Sequence, residues 1–320
     1  MRLVTIEDIR AAADRMRGAV VRTPLVPCLW ADEDRPLWLK PENLQAIGAF
    51  KVRGAHNALA SLTAAARTRG VVAYSSGNHA QAVAYAARAA GVRATIVIDD
   101  TAPALKVEGT RALGAEVVLV PLDQREAVAH KLVEETGATL VPPFDHPDVI
   151  AGQGTIGLEI AEDRPDVDVV LVPVSGGGLA AGIGVAIRAL CPNAAVFGVE
   201  PELAADTRDS WQAGELVHWP ADQRVRTSAD GLRAEPSELT FAHLRATLEG
   251  ILTVSEAEIH STITLLARRS RLVAEPSGAV APAAYLHRAS ELPAGRTVAL
   301  ISGGNIDPAL LGQLLATDGR

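Results

Sequence analysis

Cysteine is nearly absent from these 320 residues: only Cys28 and Cys191 occur, far apart and with no Cys/His ligand pattern beside either. That scarcity favours two reduced core thiols over an exposed pair in an oxidising compartment. Aromatic residues make up 3% of the chain, so its high hydrophobicity rests on Ala and Val, which suit close packing of helices on sheets. Lys and Arg number 30 against 38 Asp and Glu, a net charge of -8, and no basic cluster interrupts that acidic balance for long. A nucleic-acid backbone demands a concentrated basic surface, so no nucleic-acid partner is expected. No stretch approaches the roughly 20 uninterrupted apolar residues that cross a bilayer, so no membrane partner is expected either. The first residues, MRLVTIEDIRAAADRM, are charged and periodic rather than a basic stub followed by an apolar run. They predict a folded helix of a cytoplasmic protein, not a signal peptide. His56, His130, His146, His218 and His260 lack zinc-site spacing.

What is present is alternation. Residues 71–75 read as a short strand breaking into Ser76-Gly77-Asn78, and residues 79–90 as a helix ending at Gly91. Strands follow at 93–98, 115–121 and 138–141, with helices at about 103–114 and 125–136 between them. Such alternation with short turns predicts a parallel sheet covered on both faces. A second series opens with the β-branched run at 167–172, continues with a helix from Gly178 to near Leu190 and a strand at 195–199, and closes with a strand at 297–301. Between these lie a polar, poorly periodic stretch at 201–233 and helices around 255–269 and 277–288. The expected fold is α/β with two open, twisted, mostly parallel sheet domains. The large domain would take residues 1–48 and 149–320, and the small one residues 49–148 with a core at about 70–145.

Three segments could carry chemistry. Lys51, in Ala49-Phe50-Lys51-Val52-Arg53-Gly54, stands just before an apparent helix, behind a ring that could flank a planar cofactor. A lysine amine can form an imine with an aldehyde and then serve as acid or base at a substrate Cα. Alone, such a lysine would be read as solvent-facing, and Arg53 as a structural or helix-face charge. Ser175-Gly176-Gly177-Gly178-Leu179 lies where a strand gives way to a helix, and its backbone N–H groups can converge on a phosphate. It is neither a Walker loop nor a dinucleotide fingerprint. Ser302, in Ser302-Gly303-Gly304-Asn305, directly follows the last strand, a ligand-facing position in a parallel sheet. An amine, a phosphate cradle and a hydroxyl for a ring nitrogen are the minimum kit of a pyridoxal phosphate enzyme.

Ser75-Ser76-Gly77-Asn78-His79 occupies another strand-to-helix junction, suited to binding a carboxylate or to capping. His79, just inside an apolar helix, reads as a packed residue before it reads as a base. Glu200 and Asp206 read from spacing alone as solvent-facing acids, though two carboxylates and a carbonyl in a turn could hold a hard divalent cation. Glu275 is open to a helix-start reading, with Ser277 placed to cap the helix that follows.

With these motifs in place, nearly the whole chain, from Thr23-Pro24-Leu25 to Ser302-Gly303-Gly304-Asn305, resembles the serine/threonine dehydratase family of fold type II pyridoxal phosphate enzymes, which includes serine racemases. The resemblance implies a tryptophan synthase β-subunit-like fold. It makes Lys51 the Schiff-base lysine with Phe50 beside the cofactor, Asn78 the contact of the pyridine hydroxyl and Ser302 the partner of the pyridine nitrogen. Ser175, Gly176, Gly177, Gly178 and Leu179 would receive the phosphate, with Ser175 departing from a frequent run of four glycines. Ser75, Ser76, Gly77 and His79, with Asp230 and Gly231, would bind substrate, and the serine matching Ser76 exchanges a proton in racemases. Glu200, the carbonyl of Ala204 and Asp206 match a site for Mg²⁺ or another divalent cation. A homodimer is implied as well. The chain lacks room for the regulatory carboxyl-terminal module of biosynthetic threonine dehydratases, so isoleucine feedback is not expected. The implied activity is conversion of L-threonine to 2-oxobutyrate and of L-serine to pyruvate with release of ammonia. The alternatives are a serine racemase, a threo-3-hydroxyaspartate or hydroxyectoine-pathway dehydratase, and a pyridoxal phosphate-binding protein without turnover.

Overall fold

Strands form where β-branched and apolar residues run together. The computed structural model describes residues 2–75, 77–102 and 104–317. Among them lie β1 (Val26–Pro27), β2 (Leu37–Pro41), β3 (Val71–Tyr74), β4 (Ala94–Asp99), β5 (Glu116–Val120), β6 (Thr139–Leu140), β7 (Val169–Pro173), β8 (Ala195–Pro201), β9 (Gly250–Val254) and β10 (Thr297–Ile301). They make a six-stranded sheet in the order β1-β2-β10-β7-β8-β9 and a four-stranded sheet in the order β5-β4-β3-β6. Every pairing is parallel except β1 with β2. The final strand sits inside the larger sheet, with Thr297 in register with Leu37 on one side and Val169 on the other. Both ends of the chain therefore contribute strands to one sheet.

Period-two alternation sends successive residues to opposite faces. Val170, Val172, Val298 and Leu300 join a core on one face of the larger sheet, and Val169, Leu171, Ala299 and Ile301 join a second core on the other. The smaller sheet is covered likewise, with Val71, Ala73 and Ile96 on one side and Val72 and Val97 on the other. The amino-terminal helix spans Ile6–Arg15 and opens on a capping box between Thr5 and Asp8. No helix among the described residues is long and apolar enough to cross a membrane.

Two helices position the lysine. Lys51–Ala60 begins with Lys51 itself and packs against Pro147–Asp163, a 17-residue helix buried almost throughout. They cross where a Cβ on Gly152 would come within 2.7 Å of the Gly54 Cα, so only glycine allows this approach. Beside the crossing, Arg53 is fully buried. Its Nε and Nη2 donate to the two Glu42 carboxylate oxygens at 2.8 Å, and Nη1 and Nη2 donate to Glu159 at 2.6 and 2.9 Å. Buried Lys40 also donates to Glu159 and to the Thr23 carbonyl, while Thr23 Oγ1 donates to Glu42. Arg53 is thus structural, as one branch of the sequence reading had it, and not a helix-face charge.

One capping expectation is corrected. The helix Pro276–His287 takes Glu275 as its N-cap residue, with Pro276 in the first turn. Ser277 lies within the helix and its hydroxyl accepts the Gly231 N–H at 3.0 Å. Proline's fixed φ and missing N–H suit the first helical position, which moves the start one residue ahead of Ser277.

Candidate active site

The carboxyl ends of β3, β7 and β10 carry the turns that bound the site. Phe50 N–H donates to the Ser302 carbonyl at 3.0 Å, and Ala49 bridges to Gly303, so the lysine turn and the turn after β10 are tied through their backbones. Lys51 Nζ donates to the Pro143 carbonyl at 2.7 Å and lies 5.1 Å from the centre of the Phe50 ring. Burial lowers the Lys51 pKa to about 8, toward the range in which a free amine is available as a nucleophile.

Phe144, beside Pro143, reaches the glycine turn. A Cβ on Gly176 would overlap its ring, and one on Gly178 would come within 2.9 Å of its carbonyl oxygen. Gly177 has φ of +87° and is the N-cap of helix Gly178–Leu190. With no side chain capping that helix, its first-turn N–H groups remain available for an anion. Ser175 needs no glycine: positive φ falls on Gly177, and the Ser175 hydroxyl donates to the Ala234 carbonyl at 3.0 Å and accepts the Ala234 N–H at 2.9 Å. Leu179 turns into the core. The uncapped cradle, the desolvated amine and the Ser302 hydroxyl fit a phosphorylated pyridoxal.

Ser302 is buried, and its Oγ donates to the Ser277 carbonyl at a loose 3.3 Å. Asn78 opens the helix Asn78–Ala90 and donates from Nδ2 to Glu275 Oε1 at 2.7 Å. Ser75 Oγ accepts the Gly77 N–H at 3.2 Å, closing the turn that leads into this helix. Ser76 lies outside the described residues. His79 stands apart from the polar groups of this turn: it is 3% exposed and its Nε2 is engaged by the Val141 carbonyl at 2.8 Å. Burial and the Lys51 charge push it down to about 3, so it is a neutral, packed ring. Gly231 hangs on Ser277, and Asp230 accepts a 3.1 Å ion pair from Lys106 on the helix Ala104–Ala112.

Glu200 and Asp206 overturn their solvent-facing reading, since each is only 1% exposed. Glu200 accepts the N–H groups of Thr207 and Arg208 at 3.2 and 2.8 Å, while Asp206 Oδ2 is buried without a hydrogen-bond partner. Burial, then the Asp206 charge, pushes Glu200 well above the ordinary carboxylate range, and burial raises Asp206 to about 6. No cluster of three or more His, Cys, Asp or Glu suited to a metal occurs among the described residues. Two carboxylates with the buried Ala204 backbone are therefore a sparse donor set, one that suits a hard cation keeping several waters.

Glu275, Asn305, Phe144 and Lys106 are the site residues that motif reading left without a role. Glu275 had a signal as an acid directly before Pro276-Ser277-Gly278, and Asn305 closes the motif that follows the last strand. The others come to the site through tertiary contacts.

This geometry accords with the sequence relationships. A family model described as "Pyridoxal-phosphate dependent enzyme" matches residues 16–303. The chain is 40% identical over 308 residues to the L-threo-3-hydroxyaspartate ammonia-lyase of Saccharomyces cerevisiae, covering 95% of this chain and 94% of that protein. It is 43% identical over 322 residues to the L-threonine ammonia-lyase of Thermotoga maritima, covering 98% and 78%. Among solved structures, maize serine racemase superimposes with a TM-score of 0.93 at 35% identity, covering 99% of this chain and 98% of that one. The chain belongs to the pyridoxal-phosphate-dependent enzyme family and has its fold type II architecture.

Proposed function

We propose that this enzyme is an ammonia-lyase of 3-hydroxy amino acids, with L-threonine and L-serine as leading substrates. The observation that carries the reading is the Lys51 amine, desolvated and lowered to about 8, at a backbone-pinned turn joined through Pro143 and Phe144 to an uncapped glycine cradle. The cofactor, when bound, supplies an aldehyde for amines and a ring that draws electrons from the substrate Cα. Lys51 Nζ takes the Cα proton, and Phe50 flanks the ring. The N–H groups of Gly176, Gly177, Gly178 and Leu179, with Ser175, hold the phosphate. Asn78 would donate to the ring oxygen. Ser302 would offer the ring nitrogen a neutral hydroxyl, a partner that would leave the ring a weaker electron sink than a carboxylate would. Ser75, Ser76 and Gly77 would hold the substrate carboxylate, with Asp230 and Gly231 also binding substrate. Glu200, the Ala204 carbonyl and Asp206 hold Mg²⁺ or a similar cation. The enzyme works in the cytoplasm as a homodimer, with residues 49–148 as its small lobe and residues 1–48 and 149–320 as its large one.

A second reading, dehydration of threo-3-hydroxyaspartate, is favoured by the yeast relative and by the Lys106 cation near Asp230. The cofactor-loaded protein, incubated with L-threonine, L-serine and threo-3-hydroxyaspartate with and without Mg²⁺, separates these readings. Strong 2-oxobutyrate production without inversion supports the proposal. A marked preference for hydroxyaspartate moves it to the second reading, and inversion of serine to a racemase. Lys51→Ala should abolish both turnover and the lysine-bound cofactor band; an active variant that keeps the band would sink the assignment of Lys51.

A further inference from the structure

Although Glu275 is the N-cap residue of Pro276–His287, its side chain makes no capping hydrogen bond. Its carboxylate instead accepts Asn78 Nδ2 from the smaller-sheet lobe at 2.7 Å. Asn78 Oδ1 accepts Asn305 Nδ2 at 2.8 Å, and that same nitrogen donates to the Ile47 carbonyl at 2.9 Å. An amide can ordinarily reverse its oxygen and nitrogen ends at small cost. Here a donor-only nitrogen faces one end of Asn78 and a carboxylate, acceptor-only once ionised, faces the other, so with Glu275 charged a reversal would place like groups against each other at both contacts. One Asn78 N–H remains uncommitted. The clamp is also tied to the catalytic turns: a Cβ on Gly303 would overlap the Glu275 carboxylate, and Glu275 N–H donates to the Gly303 carbonyl at 3.1 Å.

We infer that Glu275 and Asn305 are positioning residues that lock the Asn78 amide, so that its free N–H is presented to the cofactor ring, and that the Glu275 carboxylate sets the charge behind that contact. This inference rests on the proposed role of Asn78. Glu275 is 5% exposed. Burial, then the Asp230 charge, pushes its pKa up to about 7, while the Asn78 hydrogen bond and Lys106 oppose the rise. On the Asn78–Ala90 helix the nearest ionisable ring, His79, is neutral. The clamp therefore gains a negative charge as pH rises through neutrality.

The test compares holoenzyme, Glu275→Gln and Asn305→Asp by titrating the bound-cofactor absorbance and by equilibrium dialysis of pyridoxal phosphate. The wild-type band should shift with a midpoint near 7. Glu275→Gln keeps an acceptor for Asn78 but has no charge to gain, so it should bind cofactor and lack that transition. Asn305→Asp replaces the donor with an acceptor, and loss of a well-aligned contact should weaken cofactor binding about tenfold. A Glu275→Gln protein that retains the wild-type transition, or an Asn305→Asp protein that binds cofactor as tightly as wild type, overturns the inference. Should Glu275→Gln fail to fold, the Asn305→Asp dialysis decides alone. A wild-type protein without any bound-cofactor band overturns the site reading, and the inference with it.

Discussion

Two clusters of buried charge divide the labour in this molecule. In the first, Arg53 and Lys40 face Glu42 and Glu159, two charges of each sign, with the guanidinium forked onto both carboxylates. Burial works against the Glu42 carboxylate, yet the Arg53 charge and hydrogen bonds hold it below its ordinary range. In the second, burial pushes both Glu200 and Asp206 upward, the Asp206 charge adds to the rise at Glu200, and one Asp206 oxygen has no partner. The contrast separates a cluster whose opposite charges are in contact from a pair of like charges with one unpartnered oxygen. The first fixes the helix that begins at Lys51; the second is the site proposed above for a cation.

The largest expected effect comes from breaking the balanced cluster. Arg53→Met leaves buried Glu42 with no cation in contact and Glu159 with Lys40 alone, and should cost about 3–5 kcal/mol in urea unfolding. Arg53→Lys should recover only part of this loss, because an ammonium lacks the planar guanidinium fork that pairs bidentately with Glu42 and Glu159 together. If Arg53→Met unfolds like wild type, the claim that this cluster holds the lysine helix fails.

The acid pair should respond to metal. Mg²⁺ at about a hundred times its dissociation constant should stabilise the protein by about 2.7 kcal/mol. The pH dependence follows from the raised values. A carboxyl raised in the folded state binds its proton more tightly there, so its contribution is fully present below the ordinary carboxylate range and is lost as pH rises through about 6. Metal-free protein should therefore lose stability across that window. Protons compete with the cation, so the Mg²⁺ increment in melting temperature should be large above about pH 7 and small well below 6. Glu200→Gln should remove the increment; a Mg²⁺ response preserved in that variant would rule the pair out as the cation site.

Smaller effects sharpen the same contrast. Ser175→Ala strips both partners from the Ala234 backbone and should cost about 1–2 kcal/mol in thermal unfolding. Thr23→Val removes one donor from Glu42 while the Arg53 fork remains, and should cost about 1 kcal/mol. A Thr23→Val loss as large as that of Arg53→Met would mean that the fork is not the dominant contact.

Much of this architecture is legible along the chain. The strands of the smaller sheet and the helix Arg125–Thr136 follow from alternation and glycine punctuation, and Lys51, Gly176 to Gly178 and Ser302 follow from the junctions they occupy. The helix Pro147–Asp163 escapes that reading for a physical reason. It is buried nearly all round, so it has no polar face to mark a helical period, and Gly152, Gly154 and Gly157 look like breaks. The strand Gly250–Val254 is missed because it is short and completes an edge far from the other strands in sequence.

The glycine turns and the β-branched runs are local features whose spacing predicted strand-to-helix junctions and an α/β fold, while the roles of Lys51 and the glycine turn toward a cofactor came from the family resemblance. Burial and pairing across the chain were decided only in three dimensions. Glu42 and Glu159 are 117 positions apart yet share one guanidinium, whereas Glu200 and Asp206 are neighbours in sequence whose burial no periodicity announced. Glu275 meets Gly303, in the turn after the last strand, and Asn78, on a helix beside the smaller sheet, only through the fold. The local pattern sets which backbone conformations are cheap; the dielectric and the partner that each charge meets depend on which distant segments pack around it.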